Sequence, residues 1–321
     1  MKSFASLLKV VINFTILSIL LPSVVLAWSW QSNCSDVSER GHLNVLTINL
    51  LFSEIEERAG RLERIADFIV SESEPVDIVL LQEVIGGPLS GTTNSSLDLK
   101  QLLEERGLNY NLRYRLANGL PGILTVGNAI LSRCKILVTV SKTLPFVTEE
   151  PFEGIEIPLK RKAMMSRVKI PNVGKINIYN THLCAFCDPS EREEQTQVLL
   201  EFIENVENFF WGQNPIILGG DFNTNLKIDE DRPVYDLITG YGFTDTYAAV
   251  NGCGDCCSDA DGYEGCTYAV TGNPYTDPDV PERIDYIFFK DSGFAIAESD
   301  VVFTEPWVSD HSGVLTRIPL Q

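Results

Sequence analysis

Short, continuous apolar runs alternate along the chain with longer stretches whose apolar positions recur every three or four residues, and that alternation predicts the architecture. Residues 43–48 (Leu-Asn-Val-Leu-Thr-Ile) read as a strand covered on both faces, whereas 57–71 place Leu62, Ile65, Ala66 and Ile69 on one side of a helix. The segment 77–81 returns to the buried-strand pattern and ends in Gln82-Glu83. Further strands are predicted at 128–132, 164–170, 175–181, 215–218 and 284–289. A long helix is predicted over 190–210, with Ser190 as its N-cap and Glu193 three residues later. The Gly/Pro-rich segments 86–94, 117–127 and 251–281 read as loops. No repeat or low-complexity linker interrupts the series, so the fold class is α/β (α+β) layering in a single domain.

The polar residues at the ends of these runs change the picture. Asn49, Glu83, His182 and Asp221 each follow an apolar run directly, and strand ends converge on one edge of a sheet, where a rigid core holds polar groups around a common cavity. Any one of them alone reads as a solvated turn or a satisfied structural group. Asp285, between Ile284 and Tyr286, reads as a buried acid that needs a partner.

Composition adds compartment and charge. Lys2 and Lys9 precede an apolar run to Ala27, with Val25-Leu26-Ala27 before Trp28: the pattern of a secretory signal peptide over residues 1–27, cleaved before Trp28. The run approaches the roughly 20 residues that span a bilayer, but its polar interruptions and Pro22 favour cleavage over an anchor. A soluble, secreted mature chain, residues 28–321, is therefore expected, with a Cys-rich loop at about 251–281. The formal charge of −19 becomes about −21 once the two lysines are removed, which disfavours a broad electrostatic hold on nucleic acid while leaving the local basic cluster Lys160-Arg161-Lys162 able to attract one phosphate. Eight cysteines in an exported chain read as disulfides of open connectivity. Cys184 and Cys187 could alternatively be a redox or zinc pair, though no second pair at zinc-finger spacing accompanies them. Residues 259–262 (Asp-Ala-Asp-Gly) hint at a calcium loop but lack its first and last acids, and read as plain loop. Asn33 and Asn94 stand in glycosylation sequons.

Six blocks then occur in one order: 43–49 ending in Asn49, 77–83 ending in Glu83, Asn180-Thr181-His182, Gly219-Gly220-Asp221-Phe222-Asn223, Ile284-Asp285-Tyr286 and Ser309-Asp310-His311. In order and type they resemble the endonuclease/exonuclease/phosphatase superfamily, the metal-dependent fold of deoxyribonuclease I, abasic-site endonucleases, inositol polyphosphate 5-phosphatases and neutral sphingomyelinases. The resemblance spans about 43–318 and implies a four-layer α/β/β/α sandwich, two packed mixed sheets flanked by helices, with the site at one edge. It implies that Glu83, with Asn49 and Asp310, holds Mg²⁺ (or Mn²⁺ or Ca²⁺). His311 is then the general base, Asp285 fixes its tautomer, His182 donates towards the phosphate and leaving group, and Asp221 and Asn223 orient water and phosphoryl oxygens. Lys160, Arg161, Lys162 and Arg167 are candidates for an anionic clamp.

Abasic-site endonucleases carry a Tyr-x-Pro-Asn pattern where this chain has His182, and an Asp where it has Leu51, so the reading moves to the two-histidine branch. Export, acidity and apolar loops at 120–124 and 303–308, with Trp307 among them, favour a sphingomyelinase-like or phospholipase C phosphodiesterase acting at a lipid surface. An extracellular deoxyribonuclease I-like nuclease, a sugar or inositol phosphate phosphatase, and an inactive secreted binding protein are the alternatives. No protein partner is predicted and a monomer is expected.

Overall fold

Fourteen strands and six helices alternate along the described residues of a computed structural model, which are 34–53, 57–152, 155–210, 214–253, 256–257, 264–276, 280–290 and 296–320. The predicted signal peptide and the 259–262 loop lie outside them. In chain order the strands are β1 His42–Asn49, β2 Ile78–Gly86, β3 Asn111–Leu120, β4 Leu124–Ser132, β5 Lys135–Thr143, β6 Val147–Phe152, β7 Ile155–Leu159, β8 Lys162–Ile170, β9 Gly174–His182, β10 Ile216–Asp221, β11 Thr244–Asp245, β12 Asp285–Lys290, β13 Glu298–Val302 and β14 Gly313–Pro319. The helices are α1 Ser35–Arg40, α2 Arg58–Ser71, α3 Ser95–Glu105, α4 Pro189–Phe210, α5 Arg232–Gly240 and α6 Thr246–Asn251.

Two six-stranded mixed sheets form, ordered β13-β14-β1-β2-β4-β3 and β11-β12-β10-β9-β8-β5, with β6-β7 as a separate hairpin. The pairs β1–β2 and β9–β10 are parallel, and the other pairings in these sheets are antiparallel. Three apolar clusters account for the layering. Leu43, Val45, Ile78, Leu80 and Ile130 of the first sheet meet Met164, Ile178, Ile217 and Ile287 of the second. Outside the first sheet, Leu46, Ile48, Val79 and Leu81 meet Leu62, Ile65 and Ile69 of α2 and Leu99 and Leu103 of α3. Outside the second, Tyr179, Leu218 and Phe288 meet Leu199, Ile203 and Ile238 of α4 and α5. The result is the four-layer α/β/β/α sandwich, and it explains why the central strands are apolar at nearly every position: both faces are covered.

Glycine permits close approach under the site, between the two sheets at Gly219 and between neighbouring strands of one sheet at Gly220. A Cβ on Gly219 would stand 2.6 Å from Leu80 Cδ1 of the other sheet, and one on Gly220, whose φ is +143°, would stand 2.1 Å from the Thr181 carbonyl oxygen.

Several sequence expectations need correction. The cap of α4 is Asp188, not Ser190: its Oδ1 accepts from the Ser190 N–H at 2.9 Å, and Glu191 Oε2 accepts from the Asp188 N–H at 3.1 Å, with Pro189 in the first helical position. Residues 117–127 are mostly the β3–β4 hairpin rather than loop. Phe303 and Val308 are buried against Phe68 and the α2 layer, so of the two apolar loops singled out in the sequence it is the 120–124 tip that exposes large aliphatic side chains. Asn94 is buried as the N-cap of α3, accepting from the Ser96 N–H at 3.0 Å, which leaves no room for a glycan there. All eight cysteines pair, Cys34–Cys134, Cys184–Cys187, Cys253–Cys256 and Cys257–Cys266, which removes the zinc reading of Cys184 and Cys187. Among the described residues no helix is long and apolar enough to cross a membrane.

Candidate active site

Register alone assembles the centre of the site. In the second sheet Asp221, at the end of β10, stands directly opposite His182 on β9 and Asp285 on β12. Neighbouring strands lie about 4.8 Å apart, so an acid, a histidine and a second acid form one row across three strands. From the first sheet, Asn49 ends β1 and His311 precedes β14, which pairs with β1. The side chains then interlock. His311 Nδ1 meets Asp285 Oδ2 at 2.8 Å, and its Nε2 lies 3.8 Å from Asp221 Oδ2. His182 Nε2 lies 3.4 Å from the same oxygen, and Asn49 Nδ2 donates to it at 3.0 Å. Asp221 Oδ1 accepts from the Asn223 N–H at 3.0 Å, while Asn223 Nδ2 donates to the Leu183 carbonyl at 3.0 Å.

Glu83 reaches the site by a device that its local sequence hides. The β2–β4 ladder pairs Leu81 with Ala129 and then Val84 with Gly127, so Gln82 and Glu83 together face Asn128 in a β-bulge. Glu83 takes φ +54° there, and Leu51 and Asn223 beside the site share the left-handed region at +51° and +49°. The bulge turns the Glu83 carboxylate towards Phe52, whose N–H it accepts at 2.9 Å. The strand expected to end in Gln82-Glu83 instead continues to Gly86. Beneath the bulge, Asn180 of β9 donates across the sheets to the carbonyls of Leu81 (3.0 Å) and Ala129 (2.9 Å), and accepts from Gln82 Nε2 at 2.8 Å.

Electrostatics divides the two histidines. Burial, reinforced by Arg161 and by His311, holds His182 well below the ordinary imidazole value, so it is neutral. Burial would also lower His311, but the carboxylates of Asp285, Asp310 and Asp221 outweigh it and raise His311 well above that value. Asp221 is pushed up to about 7, first by burial and then by the Asp285 charge. Glu83 is raised by burial and by Asp310, against the opposing Phe52 N–H.

The donor set suits a hard divalent cation. Glu83 feels the charge of Asp310, Asn49 adds an amide carbonyl, and a shared cation would offset both the burial and the Asp310 charge that raise Glu83. Asp221, Asp285 and His311 also bring ligand atoms within 4.8 Å of one another, and Asp285 Oδ1 is buried without a hydrogen-bond partner. His311 Nδ1 is engaged by Asp285, however, so this second trio is also an acid–histidine–acid relay.

The eight metal and acid–base candidates, Asn49, Glu83, His182, Asp221, Asn223, Asp285, Asp310 and His311, gather here, with Arg161 of the clamp candidates felt by both Glu83 and His182. Arg167 does not. It sits on β8 opposite Asn177, bonded to Asn177 and Asn214 and stacked over Phe210 at 4.4 Å, five residues and roughly 16 Å along the sheet from the His182 edge. A cluster that is close in sequence spreads along an extended strand.

The structure adds residues that the sequence reading missed. Arg61, buried in α2, donates to the carbonyls of Leu50 (2.7 Å), Leu51 (3.1 Å) and Val308 (2.8 Å), tying the loop after Asn49 to the one before His311. Thr267 and Tyr268 come from the Cys-rich loop: Thr267 Oγ1 accepts from the Asp285 N–H at 3.1 Å, and the Tyr268 ring lies 4.9 Å from that of His311. Asn273 holds the Ser309 and Asp310 carbonyls. Nothing in the helical or loop patterns around these residues marks them.

A sequence profile described as Endonuclease/Exonuclease/phosphatase family matches residues 46–311. Among curated proteins none matches. Solved structures share the fold. An endonuclease/exonuclease/phosphatase from Beutenbergia cavernae is 24% identical at a TM-score of 0.64, covering 88% of this chain and 72% of that one. The mannosyl-6-phosphatase of Bacteroides thetaiotaomicron is 21% identical at 0.60, covering 87% and 99%. D. rerio TDP2, complexed with a single-strand DNA product, is 17% identical at 0.59, covering 86% and 98%.

Proposed function

The chain belongs to the endonuclease/exonuclease/phosphatase family, whose members hydrolyse phosphoester bonds, and on that premise we propose that it is a secreted, divalent-metal-dependent phosphodiesterase of the sphingomyelinase or phospholipase C type. The observation that carries the catalytic part is Asp221 flanked by two histidines of opposite character, one neutral and one braced by Asp285, beside the Glu83–Asp310 carboxylate pair.

Mg²⁺, or Mn²⁺ or Ca²⁺, would be held by Glu83 with Asn49 and Asp310, and when bound it supplies positive charge to the phosphate as negative charge develops. The residues divide the remaining work. His311 takes a proton from the attacking water at Nε2, while Asp285 fixes the tautomer through Nδ1 and stabilises the imidazolium that results. The water oxygen bonds to phosphorus as the bond to the leaving oxygen breaks, with no covalent enzyme intermediate. Neutral His182 presents an N–H to a phosphoryl or leaving oxygen, and Asn223, fixed by Asp221 and Leu183, braces the group. The signal-peptide pattern of residues 1–27 and the disulfides support secretion.

The lipid assignment rests on the exposed apolar tip of the β3–β4 hairpin, from which β4 runs to Gly127 and Asn128 opposite the Glu83 bulge. Turnover by the purified, oxidised protein on sphingomyelin vesicles, plasmid DNA and a phosphosugar panel tests it, with Mg²⁺ and then EDTA. EDTA-sensitive phosphocholine release is expected. EDTA-sensitive plasmid nicking would make the protein a nuclease, and release of inorganic phosphate from a sugar would make it a phosphomonoesterase. Inactivity on all three would remove the lipid reading.

A further inference from the structure

The acidic net charge conceals a strongly uneven distribution. All 44 Asp and Glu residues lie outside two segments, 106–148 and 157–187, each of which carries six Lys or Arg. These segments supply β3, β4, β5, β8 and β9, so the strands on the side of the sandwich that ends in the edge strands β3 and β5 are free of acids, and the four glutamates between the segments fall in the 149–156 stretch that joins β5 to β8. Lys142 near the end of β5 and Lys160 just before β8 are exposed, and Lys162 is half-buried. The sheet register places Lys162 level with His182, two residues beyond the Met164–Asn180 pair. The Asn118 side chain bonds both the N–H and the carbonyl of Lys160, which fastens this basic turn to the β3–β4 hairpin. Burial, with Arg115 and Lys160 close by, holds the Lys162 ammonium below its ordinary value, the signature of crowded cations.

Apolar residues occupy the end of the same hairpin. Leu120 and Ile123 are 65% and 47% exposed, and Leu89, whose N–H donates to the Ile123 carbonyl at 3.1 Å, is 68% exposed. One backbone hydrogen bond thus joins two loops that both turn aliphatic side chains outward. A Cβ on Gly87 would stand 2.6 Å from the Ile123 carbonyl oxygen, so the junction depends on glycine.

Exposed aliphatic side chains above a basic collar match the two layers of a bilayer surface, acyl boundary and anionic headgroups. A polyanion such as DNA would use the collar and leave the aliphatic tip without a role. Resting on the phospholipid-directed reading above, we infer that the β3–β4 tip and the Lys142–Lys160–Lys162 collar dock the enzyme on an anionic phospholipid membrane, with the active-site edge facing the lipid.

The test is co-sedimentation of the purified protein with phosphatidylcholine vesicles with and without phosphatidylserine, alongside turnover of the soluble diester bis(p-nitrophenyl) phosphate. Binding is expected only with phosphatidylserine. It should weaken about tenfold or more in K142E/K160E and again in L120S/I123S, and rising salt should abolish it. Turnover of the soluble ester should be unchanged in L120S/I123S, which lies outside the candidate phosphate clamp. Absence of vesicle binding with soluble turnover intact overturns the docking surface and leaves the hydrolase standing. Vesicle binding without turnover of any ester overturns the hydrolase instead. Binding to duplex DNA that is lost in K142E/K160E and indifferent to L120S/I123S would overturn the membrane assignment in favour of nucleic acid.

Discussion

Replacing Asn180 with alanine should damage Glu83 from the opposite sheet. The Asn180 amide makes three buried hydrogen bonds, to the carbonyls of Leu81 and Ala129 and from Gln82 Nε2, at 3.0, 2.9 and 2.8 Å. Each is worth roughly 0.5–1.5 kcal/mol net, so Asn180→Ala should lower unfolding free energy by about 2–4 kcal/mol, read by urea titration. Leu81 and Ala129 are the last pair before the bulge that swings Glu83 to φ +54°, a conformation that the surrounding contacts must enforce. Slackening it should raise the half-saturating Mg²⁺ concentration of hydrolysis about tenfold, which corresponds to about 1.4 kcal/mol of lost metal affinity. Asn180→Asp is the sharper variant. It preserves shape but directs a carboxylate at two carbonyl oxygens, and should be less stable than the alanine variant despite its closer size. An aspartate variant as stable as wild type would refute the assigned polarity of the bridge. An alanine variant that is destabilised but keeps its Mg²⁺ dependence would show that Glu83 is held by other contacts.

Three further outcomes follow from the site. Glu83→Gln should abolish hydrolysis and eliminate the Mg²⁺ heat signal in calorimetric titration while circular dichroism stays unchanged; residual metal binding at wild-type affinity would contradict its role as ligand. Arg61→Met removes the cation that three buried carbonyls share and should cost about 3 kcal/mol in urea unfolding, with kcat falling because the Asn49 and His311 loops separate. The pH dependence has a defined sign. His311 must be unprotonated to act as base, and its raised value places the rising limb of kcat/KM above the ordinary histidine value of about 6.5. Removing the largest carboxylate contribution in Asp285→Asn should shift that limb to lower pH and reduce the plateau by roughly 10²–10⁴; a limb that stays in place would mean that another group titrates.

The central strands were legible because a strand covered on both faces writes itself as a continuous apolar run, and the residues terminating β1, β9 and β10 therefore stood out as candidates. Edge strands lack that signature. β3 and β5, half-exposed and punctuated by Arg113, Arg115, Lys135 and Lys142, carry too little apolar periodicity to be recognised, although they form the outer walls of both sheets. The bulge at Glu83 was illegible for a different reason. A β-bulge is a mismatch between two strands, and no property of 77–86 alone states that Asn128 will face two residues.

Arg161 and Arg167 show how sequence proximity misleads in extended chain, since β8, which begins just after Arg161, carries Arg167 away from the His182 edge. Charge is the converse case. The acid-free segments were visible in the sequence, yet a net charge of −19 averages them with the acids of the helices and loops, and long-range repulsion from a polyanion was inferred from the average. Screening limits such fields to about 8–10 Å at ordinary salt, so a surface approaching the β3–β5 side encounters the local basic collar rather than the total. Only the packing of the two sheets, which sets β3 of one against β5 and β8 of the other, converts two separate stretches of sequence into one face.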